Sequence, residues 1–219
     1  LYSVVNKSYM GLSREMEFHA DEIAANVTGY EPLSKSLLRL SFADHSFNSV
    51  LGYYEGKFSE NLKSGNLYRD QSFVMTFLAK ESEMPIEQGL PQASVELMNK
   101  FNKSKLVIKD QWASHPSTED RIERLEQTKL NSDIIESPEA GELFLNIESR
   151  QKELTNLMFR EVKYEGNATE LNTETFRTDY VAEYDKNSFS KIYNSYYDNK
   201  NPIPFDLDKT EVPCLLYTS

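Results

Sequence analysis

The chain has 219 residues, of which 39% are hydrophobic and 27% charged. That balance is ordinary for a folded protein of one sizeable domain, or a domain plus an appendage. A formal net charge of −11 argues against a basic surface for nucleic acid or anionic lipid, a single cysteine (Cys214) excludes an intrachain disulfide framework and a cysteine zinc cluster, and no apolar run reaches the ~18 residues of a membrane helix.

Taken in chain order, residues 1–28 form the clearest predicted helix. Leu1, Val5, Tyr9, Leu12, Met16, Ala20, Ile23 and Val27 recur at spacings of three and four. Gly29 offers a C-terminal cap, and Pro32 follows. A second helix is expected from Leu33 (LSKSLLRLSFA), a further helical stretch over 45–60 and another over 70–83. Pro85, Gly89 and Pro91 punctuate a loop before ASVELMNKFNK (93–103), which reads as a helix. A non-helical connection, 104–117, leads to STEDRIERLEQ (117–127), whose Ser117 and following acid resemble a capping box.

From Ser137, with Pro138 in the first turn, a helix is expected to about residue 160, with Leu143, Ile147, Leu154 and Leu157 as its apolar positions. Residues 163–210 are rich in Tyr, Asn, Asp and Thr. Residues 1–129 carry 15 basic and 18 acidic residues, whereas 130–219 carry 9 and 17. The expectation is therefore a mainly α protein with a boundary near 130–137: residues 1–129 as one unit, 130–219 as an acidic, Tyr-rich extension. Tyr180, Tyr184, Tyr193, Tyr196 and Tyr197 read as half-buried packing or as a peptide-binding surface.

Two stretches carry chemistry. In SREMEFHADEIAA (13–25), Glu17 and Asp21 lie four residues apart and share a helix face, with Arg14 one turn earlier. The plain reading is a solvated face with an Arg14–Glu17 pair worth a few tenths of a kcal/mol. Against it, Met16, Phe18, Ala20, Ala24 and Ala25 surround Glu17. A carboxylate so placed needs a cation or several donors. His19 projects elsewhere, as a rim or core histidine. In ASHPSTEDRIERL (113–125), His115 precedes a helix start. Its plain reading is a turn histidine before a capped amphipathic helix, with Ile122 and Leu125 inward and Arg121 paired to an acid.

Together, the order SRxxEFxAD (Ser13, Arg14, Glu17, Phe18, Ala20, Asp21) followed by SHPSxxxRI (Ser114, His115, Pro116, Ser117, Arg121, Ile122) resembles the HtpX-like and CAAX-prenyl-protease family of zinc metallopeptidases, over roughly residues 1–128. The resemblance implies the helical C-terminal part of a zincin-type (gluzincin) metallopeptidase domain, acting on polypeptide substrates with one Zn2+ ion. It implies Glu17 as a zinc ligand, Asp21 as the acid that orients a ligand histidine, His115 as the donor to the tetrahedral oxyanion, and Arg121 as the arginine that steadies this region. It also implies a membrane-associated parent, with this segment in the aqueous phase.

The family's H-E-x-x-H is absent: the only histidines are His19, His45 and His115. The two further histidine ligands and the general base are expected upstream of Leu1, in a longer parent whose own upstream part is then a partner of this segment. Otherwise the chain is a relative that has lost its metal. The rival class is a non-catalytic all-α interaction module whose acids are surface charges.

Overall fold

The computed structural model describes residues 2–87, 89–97, 115–133 and 140–188, without the side chains of residues 2–6. Within them the protein is mainly α. Helix α1 (Tyr2–Thr28) is followed by α2 (Tyr30–Glu55), a 3-10 turn (Phe58–Glu60), strand β1 (Leu62–Lys63) and α3 (Leu67–Glu81). A small hairpin, β2 (Ile86–Glu87) and β3 (Leu90–Pro91), precedes α4 (Thr118–Thr128). A second 3-10 turn (Ala140–Leu143), α5 (Ile147–Phe159), β4 (Thr169–Glu170) and α6 (Thr173–Asn187) complete the order.

The break between α1 and α2 is set by Gly29. Its φ of 83° is the left-handed region that a side chain disfavours, and a Cβ there would stand 3.2 Å from the backbone nitrogen of Ser132. The segment after α4 closes this corner: the amide of Tyr30 donates to the carbonyl of Leu130 at 2.9 Å, and the hydroxyl of Ser132 to that of Val27 at 2.7 Å.

Two expectations are corrected here. The helix predicted from Leu33 begins at Tyr30 instead, with Pro32 in its first turn, where amide hydrogens need no intrahelical partner. It does not end before a separate stretch at 45–60 but runs unbroken to Glu55. Its inner stripe, Ser34, Leu38, Phe42, Ser46 and Val50, steps by four through the polar DHS segment. The buried Ser46 hydroxyl is absorbed by donating to the Phe42 carbonyl at 2.8 Å, so a polar residue continues an apolar face.

The helix expected from Ser137 to 160 is described only from Ile147, after the short 3-10 turn, with 134–139 outside the described residues. Its apolar positions do not face the core: Leu143, Leu154 and Leu157 are exposed, whereas Thr155 and Phe159 are buried. Of the expected 93–103 helix only the first residues fall within the described part, and Tyr193, Tyr196, Tyr197 and Cys214 lie outside it.

The core is aromatic and draws on both halves of the chain. Tyr53, Tyr54, Leu67, Val74 and Leu78 pack with Phe159, Phe176 and Tyr180. The Tyr54 and Phe176 rings stack at 5.6 Å, and Tyr53 meets Phe176 edge-on at 5.1 Å. Around it, β1 pairs in parallel with β4 in the register Leu62–Thr169 and Lys63–Glu170. The N-terminus of α3 is capped by Asn66, which accepts from the amides of Tyr68 and Arg69 and donates to Gln151 of α5 at 3.0 Å. Thr155 of α5 accepts from the amide of Leu67 at 3.0 Å.

Candidate functional site

Helices α1 and α4 lie side by side, and their facing residues form the most chemically distinctive cluster on the molecule. α4 starts where Ser117, in an extended conformation, accepts a hydrogen bond from the amide of Asp120 at 3.1 Å. That cap fixes the first turn, so His115 just before it and Arg121 one turn in project towards α1. Ile122 and Leu125 on the other face are buried and anchor the helix.

Arg121 grips Asp21 with both arms of its guanidinium: Nε donates to Oδ2 at 2.7 Å and Nη2 to Oδ1 at 2.6 Å. Asp21 is only 5% exposed, so this bidentate contact is what makes a buried carboxylate tolerable. The Asp21 hydrogen bonds, with the charges of Asp21 and Glu17, hold the Arg121 guanidinium above its ordinary range and firmly protonated. The third nitrogen, Nη1, lies 3.8 Å from Oε2 of Glu17. The other Glu17 oxygen, Oε1, is in direct contact with Nδ1 of His115.

The four residues therefore form one chain of contacts, His115–Glu17–Arg121–Asp21, joining positions 98 and 100 apart in sequence. A second clamp lies one turn on, where Arg124 donates to Glu22 at 2.9 Å and covers the Phe18 ring at 5.8 Å. The sequence reading passed over Arg124 and Glu22, and took Phe18 only as an apolar neighbour of Glu17. The available signal was their spacing, each within one turn of Arg121 or Asp21. His19 is exposed, as a rim residue.

Glu17 sits at a margin. On one side is the α4 interface; on the other, Tyr9, Leu12, Met16, Ile23 and Val27 form an apolar stripe along α1 that is 59–69% exposed. Contiguous apolar surface of this kind marks a docking face more often than a solvated one. A carboxylate and an imidazole at its edge are donors of the kind zinc takes. Asp21 is committed to Arg121, however, and among the described residues no three His, Cys, Asp or Glu side chains are grouped to hold a metal. The fit is that of a partial site, able to contribute Glu17 and needing donors from elsewhere.

A second buried acid was also missed. Asp70, 2% exposed, accepts from the Tyr54 hydroxyl at 2.9 Å and the Ser64 hydroxyl at 2.6 Å. Burial raises its carboxyl above the ordinary range, and the two hydrogen bonds offset part of that rise. Its partners lie inside the core beneath the N-terminus of α3, and its role is to tie α2 to α3.

Compared with known proteins, residues 1–129, more than half of the chain, match the sequence model of Peptidase family M48. No curated protein and no solved structure matches the chain.

Proposed function

The chain belongs to peptidase family M48, and from that premise we propose that it is the C-terminal part of a zinc-dependent metalloendopeptidase whose Glu17 is a ligand of the ion. The observation that carries this reading is the meeting of Glu17 and His115, brought together from 98 residues apart at the edge of an exposed apolar stripe. When bound, the zinc supplies Lewis acidity towards a peptide carbonyl and a water molecule.

Every other part of the work belongs to this chain's residues or to its parent. Glu17 offers one carboxylate. His115 donates to the oxyanion that develops on the scissile carbonyl, where a preorganised donor is worth most. Asp21 and Arg121 touch no reacting atom. Their paired charges lock α1 to α4 and so hold Glu17 and His115 in mutual register. The two histidine donors and the general base come from an H-E-x-x-H segment of the parent that covers Tyr9, Leu12, Met16, Ile23 and Val27. Membrane association of the parent, with this segment in the aqueous phase, rests on the family likeness alone; no helix among the described residues is long and apolar enough to cross a membrane.

The test is the parent protein with Glu17→Ala. The expected outcome is loss of stoichiometric zinc and of casein hydrolysis, with the circular dichroism of the fold retained. Unchanged zinc content would overturn the ligand assignment.

One observation favours a second reading, a non-catalytic helical interaction module. The acids of the cluster are already matched within this chain, Asp21 by Arg121 and Glu17 by His115 and Arg121. A parent without paired histidines upstream, and without zinc, would establish it.

A further inference from the structure

Helix α5 is apolar on two sides, and only one of them is used by the fold. On the inner side Gln151, Thr155 and Phe159 reach the start of α3 and the core. On the outer side Ile147, Leu154, Leu157 and Met158 stand 42–51% exposed. The turn before the helix extends that surface with Leu143, Phe144 and Leu145, at 59–88%. A Cβ on Gly141 would meet Ile147 Cδ1 at 3.9 Å, so this turn lies against the first turn of α5. The apolar area left in water is on the order of the ~800 Å2 that each partner of a standard interface buries.

Charge decides what covers it. The chain is −11 overall, and its last third is the more acidic part. Residues 140–163 nevertheless carry four acidic and four basic side chains. A second copy of the chain is repelled by most of the molecule, but not by this neutral face. An anionic bilayer or a strongly basic partner would instead need a surplus of one sign.

The order of the side chains is more specific still. Arg150, Leu154, Leu157 and Glu161 follow at gaps of four, three and four, the seam spacing of paired helices. Arg160 keeps helical backbone angles beyond the last turn and so leads on to Glu161. The gaps read the same from either end, and the two ends carry opposite charge. An antiparallel copy therefore sets Leu154 against Leu157 and Arg150 against Glu161, each twice. A parallel copy would set Arg150 against Arg150. Arg150 is 68% and Glu161 83% exposed, and each now meets only a near neighbour in sequence, Glu153 and Arg160. Exposed pairs of that kind contribute little and are readily exchanged.

We propose that the chain pairs with a second copy of itself through α5, the two helices antiparallel about a two-fold axis between Leu154 and Leu157. The surface shares no residue with α1 or α4. The proposal goes beyond the peptidase reading and does not depend on it.

The test is sedimentation velocity of the full 219-residue chain from micromolar to sub-millimolar concentration. A reversible monomer–dimer equilibrium is expected. Leu154→Glu and Leu157→Glu should each leave only monomer with an unchanged circular dichroism spectrum, since both side chains lie in solvent. Leu12→Glu, on the exposed stripe of α1, should keep the dimer. Arg150→Glu and Glu161→Arg should each weaken pairing about tenfold, because the two-fold axis repeats the broken contact. Combining the two substitutions should restore it, which association by apolar contact alone would not do. A chain that stays monomeric throughout, a dimer that survives Leu154→Glu, or a combined variant weaker than either single overturns the proposal. So does a monomer that floats with phosphatidylcholine vesicles unless Leu154 is replaced by Glu, an outcome that assigns the face to lipid.

Discussion

At the scale of single residues, two acids in this protein are buried for opposite reasons. Asp21 is charged and matched by a bidentate arginine. Removing the arginine leaves an uncompensated carboxylate, for which a fully buried site costs about 3–5 kcal/mol. Arg121 is about a quarter exposed, so Arg121→Ala is expected to destabilise by about 2–3 kcal/mol in chemical denaturation. Combined with Asp21→Asn, the double variant should lose less than the sum of the singles, and strict additivity would show that the pair does not couple.

Asp70 has no cation within hydrogen-bonding reach among the described residues, and burial raises its carboxyl. The sign of its pH dependence follows. An acid with a raised folded pKa contributes stability that is fully present below the ordinary carboxylate range and is lost as pH rises through the folded value. Stability of the native protein should therefore decline from about 3.8 upward relative to Asp70→Asn, which carries no titrating group there. A wild-type-to-variant difference that stays constant with pH would refute this assignment.

At the scale of elements, caps and corners decide where helices stop. Asn66 accepts two amide hydrogens at the start of α3 and also holds Gln151 of α5, so Asn66→Ala removes a cap and an interhelical tie together. A loss of about 1–2 kcal/mol is expected in thermal or urea melts. A change below a few tenths would mean that Thr155 alone carries the α3–α5 contact through the Leu67 amide. Helix α5 shows the limit of reading periodicity. Its leucines repeat with helical spacing, yet it is anchored by Gln151, Thr155 and Phe159, and most of its apolar side chains remain in solvent.

At the scale of the whole molecule, the aromatic core joins α2 and α3 to α5 and α6. Phe176, fully buried, touches the rings of Tyr53, Tyr54, Phe73 and Tyr180. Phe176→Ala is expected to cost about 3–5 kcal/mol, since a ring-sized cavity cannot collapse among rigid aromatic neighbours. The same change leaves α1 and α4 untouched. If the core is continuous, a single unfolding transition should shift as a unit, read by circular dichroism and tyrosine fluorescence together. Two separate transitions would mean that the parts unfold independently.

What the sequence by itself determined was local. The helix over 1–28, its break at glycine, the serine cap of α4 and the pairing of two motifs in a recognisable order all depend on neighbours within a turn or two, where steric and hydrogen-bonding rules are read directly from residue type. That Glu17 and Asp21 share a face was legible for the same reason. Only the tertiary structure decided which cation each acid meets, why Ser46 lets α2 run through a polar stretch, and which side of α5 turns inward. Those outcomes depend on contacts spanning tens of residues or more than a hundred, between helices whose spacing of apolar residues fixes a face but not the neighbour that covers it.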